Sequence, residues 1–189
     1  IGALARLADI AASPRIRERC PVLAEAAASV GTPALRNMGT LGGNLCQDVR
    51  CWYYRYPHRM GGRMICRRKG KGPCFVLQGD SRYSAILGAR TCFAVCPSDT
   101  ATALAALRAR VRVTGPGGDR IVSVRDLYGA HGMTLETGEL VTELLVPTPP
   151  EGALQAYLKF TEREPVDFAV AGVAAVVPVA DGRCAGASI

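Results

Sequence analysis

The stretch NMGTLGGNLCQDVRCWYYRYPHRMGGRMICRRKGKGPCFVLQGDSRYSAILGARTCFAVCPSD, residues 37–99, decides how the rest of this chain is read. It holds six of the eight cysteines: Cys46, Cys51, Cys66, Cys74, Cys92 and Cys96. A glycine-rich turn, Thr40-Leu41-Gly42-Gly43-Asn44, opens it, and Ser98-Asp99 closes it at the start of a predicted helix. Between Arg50 and Cys74 there are eight Lys or Arg residues and no acid. Thiols gathered among cations point to a thiolate-ligated metal centre, here set into a domain that handles a nucleotide cofactor.

The spacing of the thiols narrows the chemistry. The gaps are four residues between Cys46 and Cys51, fourteen to Cys66, seven to Cys74, seventeen to Cys92 and three to Cys96. Structural zinc recruits paired C-x-x-C knuckles, and the ferredoxin run C-x-x-C-x-x-C has its own signature; neither is present. Widely spaced single cysteines suit a cuboidal iron–sulfur cluster wrapped by one loop. The basic side chains favour an anionic thiolate centre and raise its reduction potential. A zinc tetrathiolate is anionic too, so charge alone does not choose the metal. Disulfides are disfavoured, because 189 residues supply ample core and no export signal is visible. His58 and His131 read as surface residues rather than ligands. Trp52, Tyr53, Tyr54 and Tyr56 lie among the cations, so they read either as base-stacking platforms of a zinc-binding nucleic-acid module or as a cover for the centre that docks a partner. The second reading is preferred.

Outside the cysteines, residues 48–88 carry too little apolar periodicity to build a core, and ligand bonds would supply the order that burial cannot. Thr40 and Asn44 flank Gly42-Gly43, where backbone N–H groups can approach an anion, which makes a phosphate contact plausible. The pattern is neither G-x-G-x-x-G nor a P-loop.

Working outward, residues 1–3 read as a strand end and 6–12 as an amphipathic helix. Ser13-Pro14 marks a stop and restart. A helix over 22–30 follows Pro21 and is ended by Gly31. Residues 32–44 read as turn. Ser98 or Asp99 caps a helix over 100–107. A hairpin, 111–114 and 121–124, turns at Gly115-Pro116-Gly117-Gly118. Strands follow over 140–146 and 153–162, the latter with Tyr157, Lys159 and Thr161 on one side and Leu158 and Phe160 on the other. Two more, 170–177 and 184–189, are expected to join across residues 180–183. The fold class is α+β.

Composition is ordinary for a folded chain, 49% hydrophobic and 21% charged. The net charge of +7 is concentrated in the cysteine stretch, so it is local to that site and not the footprint of a nucleic-acid binder. No apolar run reaches the roughly 18–20 residues of a membrane helix. Ile1 at the start and an apolar pattern at Ile189 read as the ends of an internal piece of a larger subunit.

Three segments together, RNMGTLGGNLCQDVRCWYYR, GDSRYSAILGARTCFAVCPSDTATALAAL and AYLKFTEREPVDFAVAGVAA, resemble the FAD-carrying medium subunits of molybdenum hydroxylases, the xanthine dehydrogenase family. The likeness is to the type with an extra cysteine loop holding a 4Fe–4S cluster, as in hydroxybenzoyl-CoA reductase and the periplasmic aldehyde oxidoreductase. It implies a flavin-dependent oxidoreductase subunit that binds FAD and a 4Fe–4S cluster. Thr40, Leu41, Gly42, Gly43 and Asn44 are then expected at the FAD diphosphate, with Asp99, Val141 and Lys159 along the flavin. Cys51, Cys66, Cys74 and Cys92 are the expected cluster ligands, with Cys96 the competitor for the fourth place. Cys20 and Cys184 read as small buried apolar residues.

The implied partners are a molybdopterin-binding large subunit and a 2Fe–2S small subunit, with no nucleic acid and no membrane. The implied location is the cytoplasm, or the periplasm by co-export with a partner. The implied organisation is a middle FAD-binding subdomain of the molybdopterin dehydrogenase type over 1–165, an antiparallel sheet with flanking helices. Residues 46–96 are its inserted iron–sulfur loop, and 166–189 begin a C-terminal domain. A preceding FAD subdomain and most of that last domain are expected outside the chain.

Overall fold

Proline and hydroxyl punctuation cuts the N-terminal region into short helices. In the computed structural model, which describes residues 1–56, 65–70, 72–129, 132–164 and 166–189, these are α1 (Leu7–Ala12), α2 (Pro14–Arg19), α3 (Pro21–Ala28), α4 (Pro33–Met38) and α5 (Leu41–Leu45). Pro14, Pro21 and Pro33 each sit in a first turn, where the missing N–H costs nothing. α3 ends two residues earlier than the sequence predicts. The Ser29 N–H donates to the carbonyls of Glu25 and Ala26 at its end, and the Arg36 guanidinium holds the turn that follows, donating to the carbonyls of Val30 (3.0 Å) and Gly31 (2.8 Å). Gly31 takes φ +47°, which a side chain would resist.

Residues 32–44, expected as turn, are largely helical, and the reason is capping. The Thr32 hydroxyl accepts from the Leu35 N–H, and the Thr40 hydroxyl accepts from the Gly43 N–H, so each short helix has an N-cap. The chain begins along a strand edge: the Ile1 amino group donates to the Leu144 carbonyl at 2.8 Å, and Ala3 N–H donates to the Thr142 carbonyl.

Two compact units divide the chain. The first comprises residues 1–46, 98–127 and 135–189; the second comprises 47–97 and 128–134. In the first unit, α7 (Asp99–Ala106) follows Ser98, whose hydroxyl accepts from the Ala101 N–H. Then come β1 (Arg110–Gly115), β2 (Gly118–Ser123) and β5 (Leu140–Leu145), an antiparallel sheet ordered β2-β1-β5. The register slips once between β1 and β5, so that Val113 faces Val141 while Val111 faces Leu144. The slip puts Val141 and Leu144, three residues apart, on the same side as the fully buried Val111 and Val113.

A separate antiparallel pair joins β6 (Leu154–Phe160) to β7 (Ala171–Val177) along its whole length. The alternation expected for β6 holds. Tyr157 and Lys159 face α3 and α7, while Leu154, Leu158 and Phe160 are exposed on the other side. The core of the unit lies between α3, α7 and this pair: Val22, Leu23, Ala26, Ala27, Ala103 and Leu104 are fully buried. The long strand expected over 184–189 does not form. Residues 179–180 and 183–184 make a two-rung hairpin, β8 and β9, and Ser188 alone bridges Val176 on the outer edge of β7. Asp181 at φ +50° and Gly182 at φ +70° make the tight turn between them.

The second unit is built with few apolar contacts, as the sequence implies. It contains α6 (Trp52–Arg55), two 3-10 turns at Arg67–Lys69 and Phe75–Leu77, and the two-rung pair β3 (Tyr128–Gly129) and β4 (Gly132–Met133). Cys66 and Val76 are among its few buried side chains.

Candidate functional site

The two polar segments that the sequence separates by more than fifty residues are fastened together in the first unit. Asn44, the last residue of Thr40–Asn44, accepts at Oδ1 from the hydroxyls of Ser98 and Thr100, each at 2.7 Å. Ser98, Asp99 and Thr100 are all buried. Asp99 opens α7, where a carboxylate is favoured by the exposed N–H groups of the first turn.

Asp99 is then gripped from β6. The Tyr157 hydroxyl donates to Oδ1 at 2.7 Å, and the Lys159 ammonium donates to Oδ2 at 2.8 Å. The side chains of Asp99 and Lys159 are 4% and 10% exposed, so neither charge has water as a ready substitute. Lys159 also donates to the Ser29 carbonyl at 3.0 Å, at the C-terminal end of α3. One ammonium thus ties a helix C-terminus to a helix N-terminus, each end being of the sign that suits it. Burial, with the Asp99 carboxylate beside it, pushes the Tyr157 phenol well above its ordinary range, so it keeps the proton that it donates to Asp99. Next to this group a cavity of about 270 Å³ is lined by Glu25, Ser29, Tyr157, Lys159, Thr161 and Glu164. The buried Thr161 hydroxyl has no hydrogen-bond partner among the described residues.

The backbone N–H groups of the glycine turn are engaged by the chain itself. Leu41 and Gly42 N–H donate to the carbonyls of Ala5 and Ala3, Gly43 N–H to the Thr40 hydroxyl, and Asn44 N–H to the Thr40 carbonyl. All four donors are committed within the chain. Gly42 is required by packing instead: a Cβ there would stand 2.8 Å from the Ala3 Cβ and 3.0 Å from the Ala3 carbonyl oxygen. Val141 is half-buried on β5, opposite Val113 of β1.

In the second unit Arg68 is the organising charge. Its side chain is 9% exposed and pairs with Asp48 at 3.0 Å, and its guanidinium lies 4.8 Å from the centre of the Tyr54 ring. Gly132, at φ +130°, leaves the space into which that guanidinium packs. Trp52 packs on Tyr83 and Tyr53 on Phe75, with ring centres 5.4 and 5.0 Å apart.

None of the eight cysteines is joined in a disulfide; Cys20 is buried as expected, whereas Cys184 lies exposed beside the β8–β9 turn rather than in the core. Burial pushes the Cys92 thiol up, a backbone N–H at Ala94 and the Arg68 charge pull it down, and Cys74 and Cys51 push it up again. Cys51, Cys74 and Cys92 therefore share one electrostatic neighbourhood, and Cys66 acts on Tyr54 beside Arg68. Among the described residues, no three His, Cys, Asp or Glu side chains are gathered closely enough to hold a single metal ion. Cys92 and Cys96 both line a cavity of about 540 Å³, together with Arg68 and Thr91. His58 and His131 lie outside the described residues.

Sequence reasoning nominated Asp99 and Lys159 without their link and named Ser98 beside Asp99, and it gave Tyr157, Thr100 and Arg68 no role at the site. Tyr157 was visible as the residue sharing a face with Lys159. Its partner was not, because strand periodicity says nothing of what packs on the face.

A family described as the FAD binding domain in molybdopterin dehydrogenase matches residues 1–149. The chain belongs to this family. The aldehyde oxidoreductase FAD-binding subunit PaoB of Escherichia coli strain K12 is 37% identical to this FAD-binding domain over 194 residues, covering 98% of the chain and 59% of PaoB. The carbon monoxide dehydrogenase medium chain of Afipia carboxidovorans is 38% identical over 109 residues, covering 57% of the chain and 38% of that protein. Among solved structures, the Cu,Mo-CO dehydrogenase in its cyanide-inactivated form superposes with a TM-score of 0.69 at 28% identity, over 99% of this chain and 49% of that one. The chain spans about half to three-fifths of the length of the curated relatives it matches from end to end. No helix among the described residues is long and apolar enough to cross a membrane.

Proposed function

We propose that this FAD-binding domain belongs to the medium subunit of a molybdenum hydroxylase-type oxidoreductase, and that it carries FAD and a 4Fe–4S cluster. The observation that carries the flavin half is the junction of Asn44 with Ser98 and Thr100 beside the Asp99–Lys159 pair. It draws the family's two polar signatures into one polar surface.

FAD fits the residues present. Thr40, Leu41, Gly42, Gly43 and Asn44 form the segment set against the diphosphate, with the Thr40 hydroxyl as the contact, since the backbone donors are spent. Asp99 and Lys159 present fixed charge to the flavin side, and Val141 is the apolar position along it. FAD, when bound, supplies the one- and two-electron chemistry, and the chain's part is to hold, orient and tune it.

For the cluster, the donor set is all-thiol, which suits iron–sulfur chemistry. The sulfurs of a cuboidal cluster stand farther apart than those around one ion, so the absence of a tight single-ion group is compatible with it. Cys51, Cys66, Cys74 and Cys92 would hold it, with the buried Arg68 as a cation whose charge acts on Cys92. The cluster supplies one-electron transfer. The partners are a molybdopterin-binding large subunit and a 2Fe–2S small subunit, and the complex resides in the cytoplasm or is co-exported to the periplasm.

The zinc-binding nucleic-acid module is not favoured. Three of the four aromatics it would need are engaged on other side chains of the second unit: Trp52 on Tyr83, Tyr53 on Phe75 and Tyr54 on Arg68.

The test is substitution in the full-length subunit purified without oxygen. Asp99→Asn is expected to weaken FAD binding at least tenfold, roughly the loss of a charge-assisted contact. Cys92→Ser is expected to abolish bound iron while Cys96→Ser retains it. Unchanged flavin affinity on the first, or retained iron on the second, contradicts the corresponding half.

A further inference from the structure

Tyr157 belongs to no nominated set, yet it is built into the site more tightly than a packing residue needs to be. Its backbone N–H donates to the Glu25 carboxylate of α3 at 2.8 Å, and its hydroxyl donates to Asp99 Oδ1 at 2.7 Å. It leaves β6 two residues before Lys159, on the same face, so both donors reach one carboxylate from one side.

Room for the phenol is made on the neighbouring strand. Gly172 pairs with Lys159 across the β6–β7 ladder, and a Cβ at Gly172 would stand 3.1 Å from the Tyr157 hydroxyl oxygen. Ala174, directly opposite Tyr157, is also small. A Phe would fill the same apolar volume, so the hydroxyl is what the arrangement adds.

We infer that Tyr157 is a positioning residue for the flavin: its hydroxyl fixes the rotamer of Asp99 and leaves Lys159 to balance the charge. Without that donor, Asp99 Oδ1 is a buried acceptor lacking one partner, and the carboxylate can swing about Cα–Cβ toward Lys159 alone. The two oxygens of Asp99 are held by two different donors, so the carboxylate plane is defined. With only Lys159, a single ammonium with rotatable protons, it is not. This rests on the reading of Asp99 as a flavin contact.

The experiment is FAD titration of the deflavinated full-length subunit, with wild type, Tyr157→Phe and Asp99→Asn compared at a temperature where every apo-protein is folded. The second readout is the visible circular dichroism of the flavin at saturation, which reports the shape of its surroundings and is blind to global stability. Tyr157→Phe is expected to weaken FAD by about tenfold, the cost of one hydrogen bond to a charged group, and to change the flavin dichroism. Gly172→Ala, which keeps the phenol and crowds its hydroxyl, is expected to shift both readouts in the same direction. Wild-type affinity and dichroism in both Tyr157→Phe and Gly172→Ala, with FAD lost from Asp99→Asn, overturns the inference and spares the site. Wild-type behaviour in all three overturns the site as well.

Discussion

At the scale of single residues, the Asp99–Lys159 pair is the most consequential contact in the described chain. Both side chains are almost wholly buried, and each is the other's charge partner. Removing one partner strands the other. Lys159→Met is therefore expected to cost about 3–5 kcal/mol of stability, read as a lowered urea midpoint with unchanged slope in the full-length subunit. A loss below about 1 kcal/mol would mean that the pair is solvated after all. Gly42 gives a second test at this scale. Its missing Cβ lets α5 lie against Ala3, so Gly42→Ala is expected to cost about 1–3 kcal/mol by overpacking. Thr40→Ser should keep the N-cap, whereas Thr40→Ala should lose about 1 kcal/mol. If Gly42 served only to bare its N–H to a ligand, Gly42→Ala would leave the unliganded protein's stability untouched.

Among the elements, the β2-β1-β5 sheet carries its own acid-sensitive fastening. Arg120 on β2 forks onto Glu139, just ahead of β5, through two hydrogen bonds of 2.7 Å, and the Glu136 N–H adds a third at 2.8 Å. These donors hold the Glu139 carboxyl down from an ordinary 4.5 to about 2. A carboxyl depressed by folding contributes stability that is present above its unfolded value and is lost as pH falls toward the folded one. The contribution of Glu139 should accordingly fade between pH 4.5 and about 2. Glu139→Gln is expected to flatten the acid limb of a stability–pH profile in that window and to leave its shape above pH 6 unchanged.

The elements also show what was legible in the chain. Period-two alternation gave β1, β5 and β6 within a residue or two, and it placed Tyr157 and Lys159 on one face. Ser98 as a cap and Pro21 as a start were visible for the same reason, since both signals are local. Residues 32–44 misled because Gly39, Gly42 and Gly43 argue for turn, while the hydroxyl caps at Thr32 and Thr40 outweigh them. The pairing of residues 171–177 with 154–160 was likewise out of reach, because strand partners are chosen by packing on α3 and α7. Asp99 and Lys159 were nominated by resemblance, and only the structure joined them.

For the whole molecule, the two units divide the chemistry. Residues 1–46, 98–127 and 135–189 have a helix-and-sheet core and hold the polar junction of Asn44, Ser98, Asp99 and Lys159. Residues 47–97 and 128–134 have few buried apolar side chains, and they carry Cys51, Cys66, Cys74 and Cys92 with the buried Arg68. A unit so poor in core gains most from ligand bonds, because metal–thiolate free energy is then folding free energy. Chelating the iron, or replacing Cys74 with Ser, is expected to make the second unit protease-sensitive while the first retains its helical circular dichroism and its FAD. Equal resistance with and without metal would show that the second unit is held by packing alone.

The most direct measurement is the flavin and iron content of the full-length subunit purified without oxygen. About one FAD and about four iron atoms per chain, with the iron lost on Cys92→Ser and the flavin retained, is the predicted result. Zinc in place of iron, or iron at full content in the Cys92→Ser protein, would contradict it.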